Sequence, residues 1–259
     1  MKKGKLLVMC LVIMLLASPL FAQDVSGTTN YQSVILEGFD SFEERQWVAC
    51  GSKFINDEYV VGSGAAGCES VVRSQLVDAW PEALYRQPPE GEAARSLGIN
   101  AAFNRKGYNY LEIIPAQENQ DGDLVASPVQ IPGNVRNLDL WVWGSNRNYY
   151  MELHLRDYRG ISHTVDLGDL DFRGWHNLRV NIPSSIPQEV VYVPQRQGLE
   201  LTKLVLWTRP AERTDEFFVY LDQLKVFTDM FEEPFDGERL ADPEYVQQLW
   251  SQGQQEEEQ

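Results

Sequence analysis

The stretch Leu138-Asp139-Leu140-Trp141-Val142-Trp143-Gly144-Ser145-Asn146-Arg147-Asn148-Tyr149-Tyr150-Met151-Glu152-Leu153-His154-Leu155 decides the fold class. Leu138, Leu140 and Val142 alternate with Asp139, Trp141 and Trp143, and Tyr149, Met151, Leu153 and Leu155 alternate with Tyr150, Glu152, His154 and Arg156. A period of two marks strands with one apolar and one wet face. Gly144 to Asn148 reads as a hairpin turn, and Asp157-Tyr158-Arg159-Gly160 as the next, leading into Ile161, His163, Val165 and Leu167. Three hairpin-connected strands are therefore expected.

Working outward, the same rhythm runs through Trp175 to Ile182, where Pro183 and Pro187 stop it. Leu201 to Trp207 is apolar nearly throughout, the pattern of a central strand covered on both sides, and Phe217 to Phe227 reads as a long strand. Upstream, Ser33 to Phe39 and Tyr108 to Ile114 are further strands. The sum predicts an all-β protein, an antiparallel β-sandwich of jelly-roll type with short helical excursions, as one domain over residues 23–240. Val71 to Tyr85 is expected as a short helix or an ordered excursion, Pro243 to Trp250 as a short helix, and Ser251 to Gln259 as an acidic Gln/Glu tail too polar to pack.

Residues 1–22 read as a secretory signal peptide: Lys2, Lys3 and Lys5, then an apolar run from Leu6 to Ala17, then Ala22 before Gln23. The run is shorter than the ~20 residues that span a bilayer, so no membrane insertion is expected. Val8 and Met9 before Cys10 are not the small residues of a lipidation motif. The full chain of 259 residues carries 22 basic and 38 acidic residues, a formal charge of -16. Loss of the three leader lysines takes the exported form to -19. Such a balance excludes nucleic acid and anionic lipid as natural partners. Two cysteines remain, Cys50 and Cys68, and in an oxidising compartment they read first as a disulfide, with two buried thiols as the alternative.

Motifs for catalysis or cofactors are weak. Gly62-Ser63-Gly64-Ala65-Ala66-Gly67 is a literal G-x-G-x-x-G, but the surrounding pattern is antiparallel rather than βαβ, and small residues that let the chain turn tightly beside a disulfide at Cys68 are the favoured reading. His154, His163 and His176 lack ligand spacing, so no metal is expected and a packed or hydrogen-bonded role is favoured. Asp121-Gly122-Asp123 reads as a solvated turn rather than a Ca²⁺ loop. No catalytic residues and no cofactor are assigned. The informative side chains are aromatic. Trp141, Trp143, Tyr149 and Tyr150 cluster around the expected hairpin as candidate contacts for a partner or a glycan, with burial inside the sandwich as the alternative.

Trp141-Val142-Trp143-Gly144, Leu155-Arg156-Asp157-Tyr158-Arg159-Gly160, Leu167-Gly168-Asp169-Leu170-Asp171-Phe172-Arg173-Gly174-Trp175 and Tyr220-Leu221-Asp222-Gln223-Leu224-Lys225-Val226 together resemble the FlaA-type flagellar filament outer layer (sheath) proteins of spirochaetes, over roughly Val34 to Leu240. Several of these pieces also look like jelly-roll carbohydrate-binding modules. The resemblance implies a non-catalytic protein of the periplasmic flagellum that coats flagellin core subunits beside other sheath proteins, with glycans on the core as further contacts, and that influences stiffness, curvature and motility. A periplasmic carbohydrate-binding module is the alternative.

Overall fold

The computed structural model describes residues 30–84, 94–188, 190–191, 196–230, 240 and 245–251. The expected signal peptide and the Gln/Glu run after Ser251 lie outside these residues. Residues 245–251 are helical.

The strands are, in chain order, β1 (Tyr31–Glu37), β2 (Gln46–Gly51), β3 (Val60–Gly62), β4 (Val71–Val72), β5 (Ser74–Val77) and β6 (Ser96–Ala101). They continue as β7 (Tyr110–Glu118), β8 (Leu124–Ala126), β9 (Val129–Ile131), β10 (Asn134–Ser145), β11 (Tyr150–Arg156) and β12 (Ser162–Asp169). Last come β13 (Arg173–Asn181), β14 (Val190–Val191), β15 (Arg196–Gln197), β16 (Leu199–Trp207) and β17 (Phe217–Asp229). Sheet A has the order β13-β10-β17-β6-β5, with β1 also on β17; sheet B has the order β12-β11-β16-β7-β2-β4-β3, with β8 on β7 and β9 on β16; β14 and β15 form a small ribbon. Every pairing of these strands is antiparallel. This is an antiparallel β-sandwich, as the alternation in the sequence requires.

The alternating residues do what their period dictates. Leu138, Leu140 and Val142 of sheet A and Met151, Leu153 and Leu155 of sheet B are fully buried in one core cluster. Each such side chain contributes about 1.5–3 kcal/mol by leaving water. The connection between them is not the expected hairpin, however. β10 pairs with β13 and β17, whereas β11 pairs with β12 and β16, so residues 145–149 cross from one sheet to the other. A period of two is the same whether two strands lie side by side or face each other across a core, so alternation alone did not separate the cases. The expected hairpin between β11 and β12 is present.

The crossover is held by Arg147, only 5% exposed. Its guanidinium donates to the carbonyls of Arg213 (3.2 Å), Asp215 (2.9 Å) and Glu216 (2.6 Å) and to Asp215 Oδ1 (2.9 Å). Tyr149 Oη donates to Arg213 O at 2.6 Å. A corner leaves backbone carbonyls without ladder partners, and a planar fork of N–H donors satisfies several at once. Gly144 beside the corner admits Phe172, whose ring would lie 2.6 Å from a Cβ placed there.

The stretch Val71 to Tyr85 does not form a helix in its described part: Val71–Val72 and Ser74–Val77 are strands, and residues 82–84 are a turn. Val71, Val72 and Val77 favour the pleated state, and pairing of Ser74–Val77 with Ile99–Ser96 satisfies the backbone. β16 is central, between β11 and β7; its inner face is fully buried and its outer face partly so, with Val205 buried between the half-buried Lys203 and Trp207. Gly62 to Gly67 joins two antiparallel strands through a short 3₁₀ turn, which rules out a dinucleotide βαβ unit there. Cys50 and Cys68 form a disulfide with Cα atoms 5.6 Å apart. With Val48, Ala116 and Leu124 they build a second, smaller apolar cluster on the outer side of sheet B.

Candidate functional site

The outward residues of the two sheets form two aromatic faces on opposite sides of the sandwich, and the expected cluster of Trp141, Trp143, Tyr149 and Tyr150 is divided by them. Trp141 and Trp143 stand on sheet A, half-buried, and Tyr150 on sheet B. Tyr149 belongs to neither face. It is 2% exposed in the core, its ring edge-on to Phe217 at 5.2 Å, and burial pushes its hydroxyl pKa up to about 12. The cluster rested on the hairpin, and the crossover removes it.

On sheet B the register sets Tyr110, Trp207 and Tyr150 in one row. Trp207 lies 5.0 Å from Tyr110 and 6.3 Å from Tyr150, and the Arg209 guanidinium sits 5.0 Å over Tyr150. The neighbouring polar groups are spent on one another. Trp207 Nε1 donates to Glu152 Oε2 at 2.8 Å, His154 Nε2 is 3.2 Å from the same oxygen, and Lys203 Nζ meets Glu112 Oε1 at 2.5 Å. His163 is engaged elsewhere, 2.9 Å from Asp157 Oδ2. Asp157 is buried in the β11–β12 turn; burial works to raise its pKa, but hydrogen bonds from His163, the Ile161 amide and Arg159 outweigh it and hold the carboxyl well below the usual range. His176 packs its ring 4.3 Å from Phe172 and is exposed, although its parity is apolar. Among the described residues, no group of three or more His, Cys, Asp and Glu side chains converges as a metal site would require.

Sheet A is built differently. Tyr220 is opposite both Trp143 of β10 and Gly98 of β6. Its ring lies against the bare Gly98 backbone, where a Cβ would come within 3.0 Å of it. Phe218, 42% exposed, is parallel to Tyr220 within 6° at 6.5 Å, and Trp143 meets Tyr220 edge-on at 5.4 Å. Beside these rings runs a groove of about 360 Å³ lined by Arg73, Gln75, Val77, Asn100, Glu216, Phe218 and Tyr220. Asn100 Nδ2 donates to Glu216 Oε1 (3.1 Å) and to Phe217 O (3.3 Å). The groove residues were missed in the sequence. Their one local signal was Gly98, a glycine inside the buried strand Ser96–Ala101.

Farther along sheet A, Trp141 is opposite Asp222. Trp141 Nε1 is buried without a hydrogen-bond partner among the described residues. Asp222 is 3% exposed, and burial, reinforced by the charge of Asp40, pushes its carboxyl up to about 7. At the far end Tyr31 stacks on Phe227 at 5.3 Å.

The class the geometry defines is an antiparallel β-sandwich with an aromatic outer face on each sheet. The family described as flagellar filament outer layer protein Flaa matches residues 28–235, and the chain belongs to that family. A "Putative flagellar filament outer layer-like protein" of Brachyspira hyodysenteriae is 31% identical over 142 residues, which covers 55% of this chain and 61% of the relative. Among solved structures, TmCBM61 in complex with β-1,4-galactotriose is similar with TM-score 0.37 and 15% identity over 74% of this chain and 94% of that one. A xylan-binding domain from CBM 22 is similar with TM-score 0.34 and 15% identity over 80% and 99%.

Proposed function

We propose that this protein is an exported, non-catalytic subunit of the outer layer of a periplasmic flagellar filament, where it coats the flagellin core beside other sheath proteins and contributes to stiffness, curvature and motility. The observation that carries the reading is the family match, which spans nearly the whole sandwich. The physics supports it. A sandwich pinned at its corner by Arg147 and at one edge by Cys50–Cys68 is a stiff block, and outer faces bearing Trp, Tyr and Phe carry the residue types that concentrate contact energy. The carbohydrate-binding alternative enters as a property of one face of this subunit, because the groove beside Phe218 and Tyr220 is a local feature of sheet A.

The test is mass spectrometry of isolated periplasmic filaments and of the soluble periplasm, in cells with and without the gene. The expected result is protein in the filament fraction, and thinner filaments with an altered waveform when the gene is deleted. Protein found only in the soluble pool, with unaltered filaments on deletion, overturns the reading.

A further inference from the structure

We infer that the groove on the outer face of sheet A binds a neutral saccharide of one or two sugar residues, an inference that rests on the carbohydrate-binding property just assigned to that face. Four observations carry it. Phe218 and Tyr220 present nearly parallel rings, one of them well exposed. An aromatic ring has a negative face, and the axial C–H groups of a pyranose are the complementary surface. Gly98 makes the platform possible, because a side chain there would lift the Tyr220 ring off the sheet.

The second observation is unspent hydrogen-bonding capacity. Among the described residues, the side chain of Gln75 makes no hydrogen bond or ion pair, Arg73 makes none beyond its electrostatic influence on Tyr59, and Glu216, bonded to Asn100 and Tyr59, keeps acceptor capacity to spare. A ring of hydroxyls, each both donor and acceptor, matches guanidinium, amide and carboxylate side by side, whereas an apolar side chain would desolvate them without compensation. Third, β5 is the edge strand of sheet A, so the groove is open along one side. Fourth, the chain's charge of -16 opposes phosphorylated or nucleotide ligands, which also stack on aromatic rings, and leaves a neutral polyol. The groove's volume, at the low end for ligand sites, suits one or two rings.

The Tyr110–Trp207–Tyr150 row is the internal control. It has the same ring types, but its Glu152, Lys203 and Trp207 groups are already paired, so it offers stacking without recognition.

The experiment screens the purified exported protein on an array of neutral mono- to tetrasaccharides and titrates the hits by calorimetry. Phe218→Ala is expected to weaken binding about tenfold and Gln75→Ala about threefold, from the loss of one ring contact and one hydrogen bond. Tyr150→Ala on the opposite face should leave it unchanged, and all three variants should keep the parent melting temperature within a few degrees. Absence of any saccharide binding at millimolar concentration overturns the inference, as does binding that Tyr150→Ala weakens and Phe218→Ala does not. A second arm measures association of the Phe218→Ala protein with isolated filaments: its loss identifies a glycan displayed on the filament as the source, and its retention, with soluble sugar binding lost, identifies a free glycan. A subunit that stays on filaments yet binds no sugar removes the groove assignment and leaves the sheath reading standing. Sugar binding by a protein absent from filaments does the reverse.

Discussion

The two outer faces of the sandwich share a composition and differ in what their polar groups are doing. On sheet B, Glu152 is claimed by Trp207 and His154, and Glu112 by Lys203, so the aromatic row is framed by a closed network. On sheet A the aromatic platform borders Gln75, whose side chain makes no hydrogen bond among the described residues, and Arg73, which has no hydrogen bond or ion pair there, while farther along β17 burial raises the carboxyl pKa of Asp222. Aromatic content therefore does not distinguish a structural face from a recognition face. The state of the neighbouring donors and acceptors does.

Four perturbations break or sharpen this contrast. The largest effect is expected where the faces are tied back to back. Arg147→Ala strands the carbonyls of Arg213, Asp215 and Glu216, and should cost about 3–5 kcal/mol in urea unfolding, with Arg147→Lys recovering only part because a single ammonium cannot replace the fork. Next comes Cys50→Ser/Cys68→Ser, expected to cost about 3 kcal/mol and to raise amide exchange around residues 60–72, in the β3–β4 end of sheet B, while leaving β5 and β6 on sheet A protected.

Third, the carboxylates of the two regions should respond to pH with opposite sign. Asp222 has its folded pKa raised from 3.8 to about 7, so the folded state holds the extra proton and stability contributed by that proton is lost as pH rises from about 4 to 7. Asp222→Asn should remove that slope and stabilise the protein by about 2 kcal/mol at pH 8, read as melting temperature against pH. Asp157 has its folded pKa depressed, so its contribution is present above the ordinary carboxylate range and is lost on acidification; Asp157→Asn should flatten the acid limb instead. The smallest effect is expected for Trp207→Phe, which keeps the ring row but drops the bond to Glu152, at under about 1 kcal/mol by thermal unfolding.

Much of this was legible in the residues. The inward parity of Leu138, Leu140, Val142, Met151, Leu153 and Leu155 is a direct consequence of the pleat, and it named the core correctly. What alternation does not encode is which strands are neighbours, and for that reason residues 145–149 read as a hairpin. A buried arginine in a supposed solvent turn is the physical mark of the corner, and it is visible only once burial is known. The same limit scattered the aromatic cluster. Trp143 acquires Tyr220 as a partner from a strand some eighty residues away, and Gly98 from yet another, so the platform of sheet A exists only as a product of strand order.

β17 has one further consequence. Its first half is bordered by β6 and its second by β1, end to end along the same edge, and the Met230 amide bonds to the Asn30 carbonyl at 2.9 Å. β1 finds its ladder partner only in β17, almost two hundred residues further along the chain, so its edge of sheet A stays open until that distant strand has been synthesised.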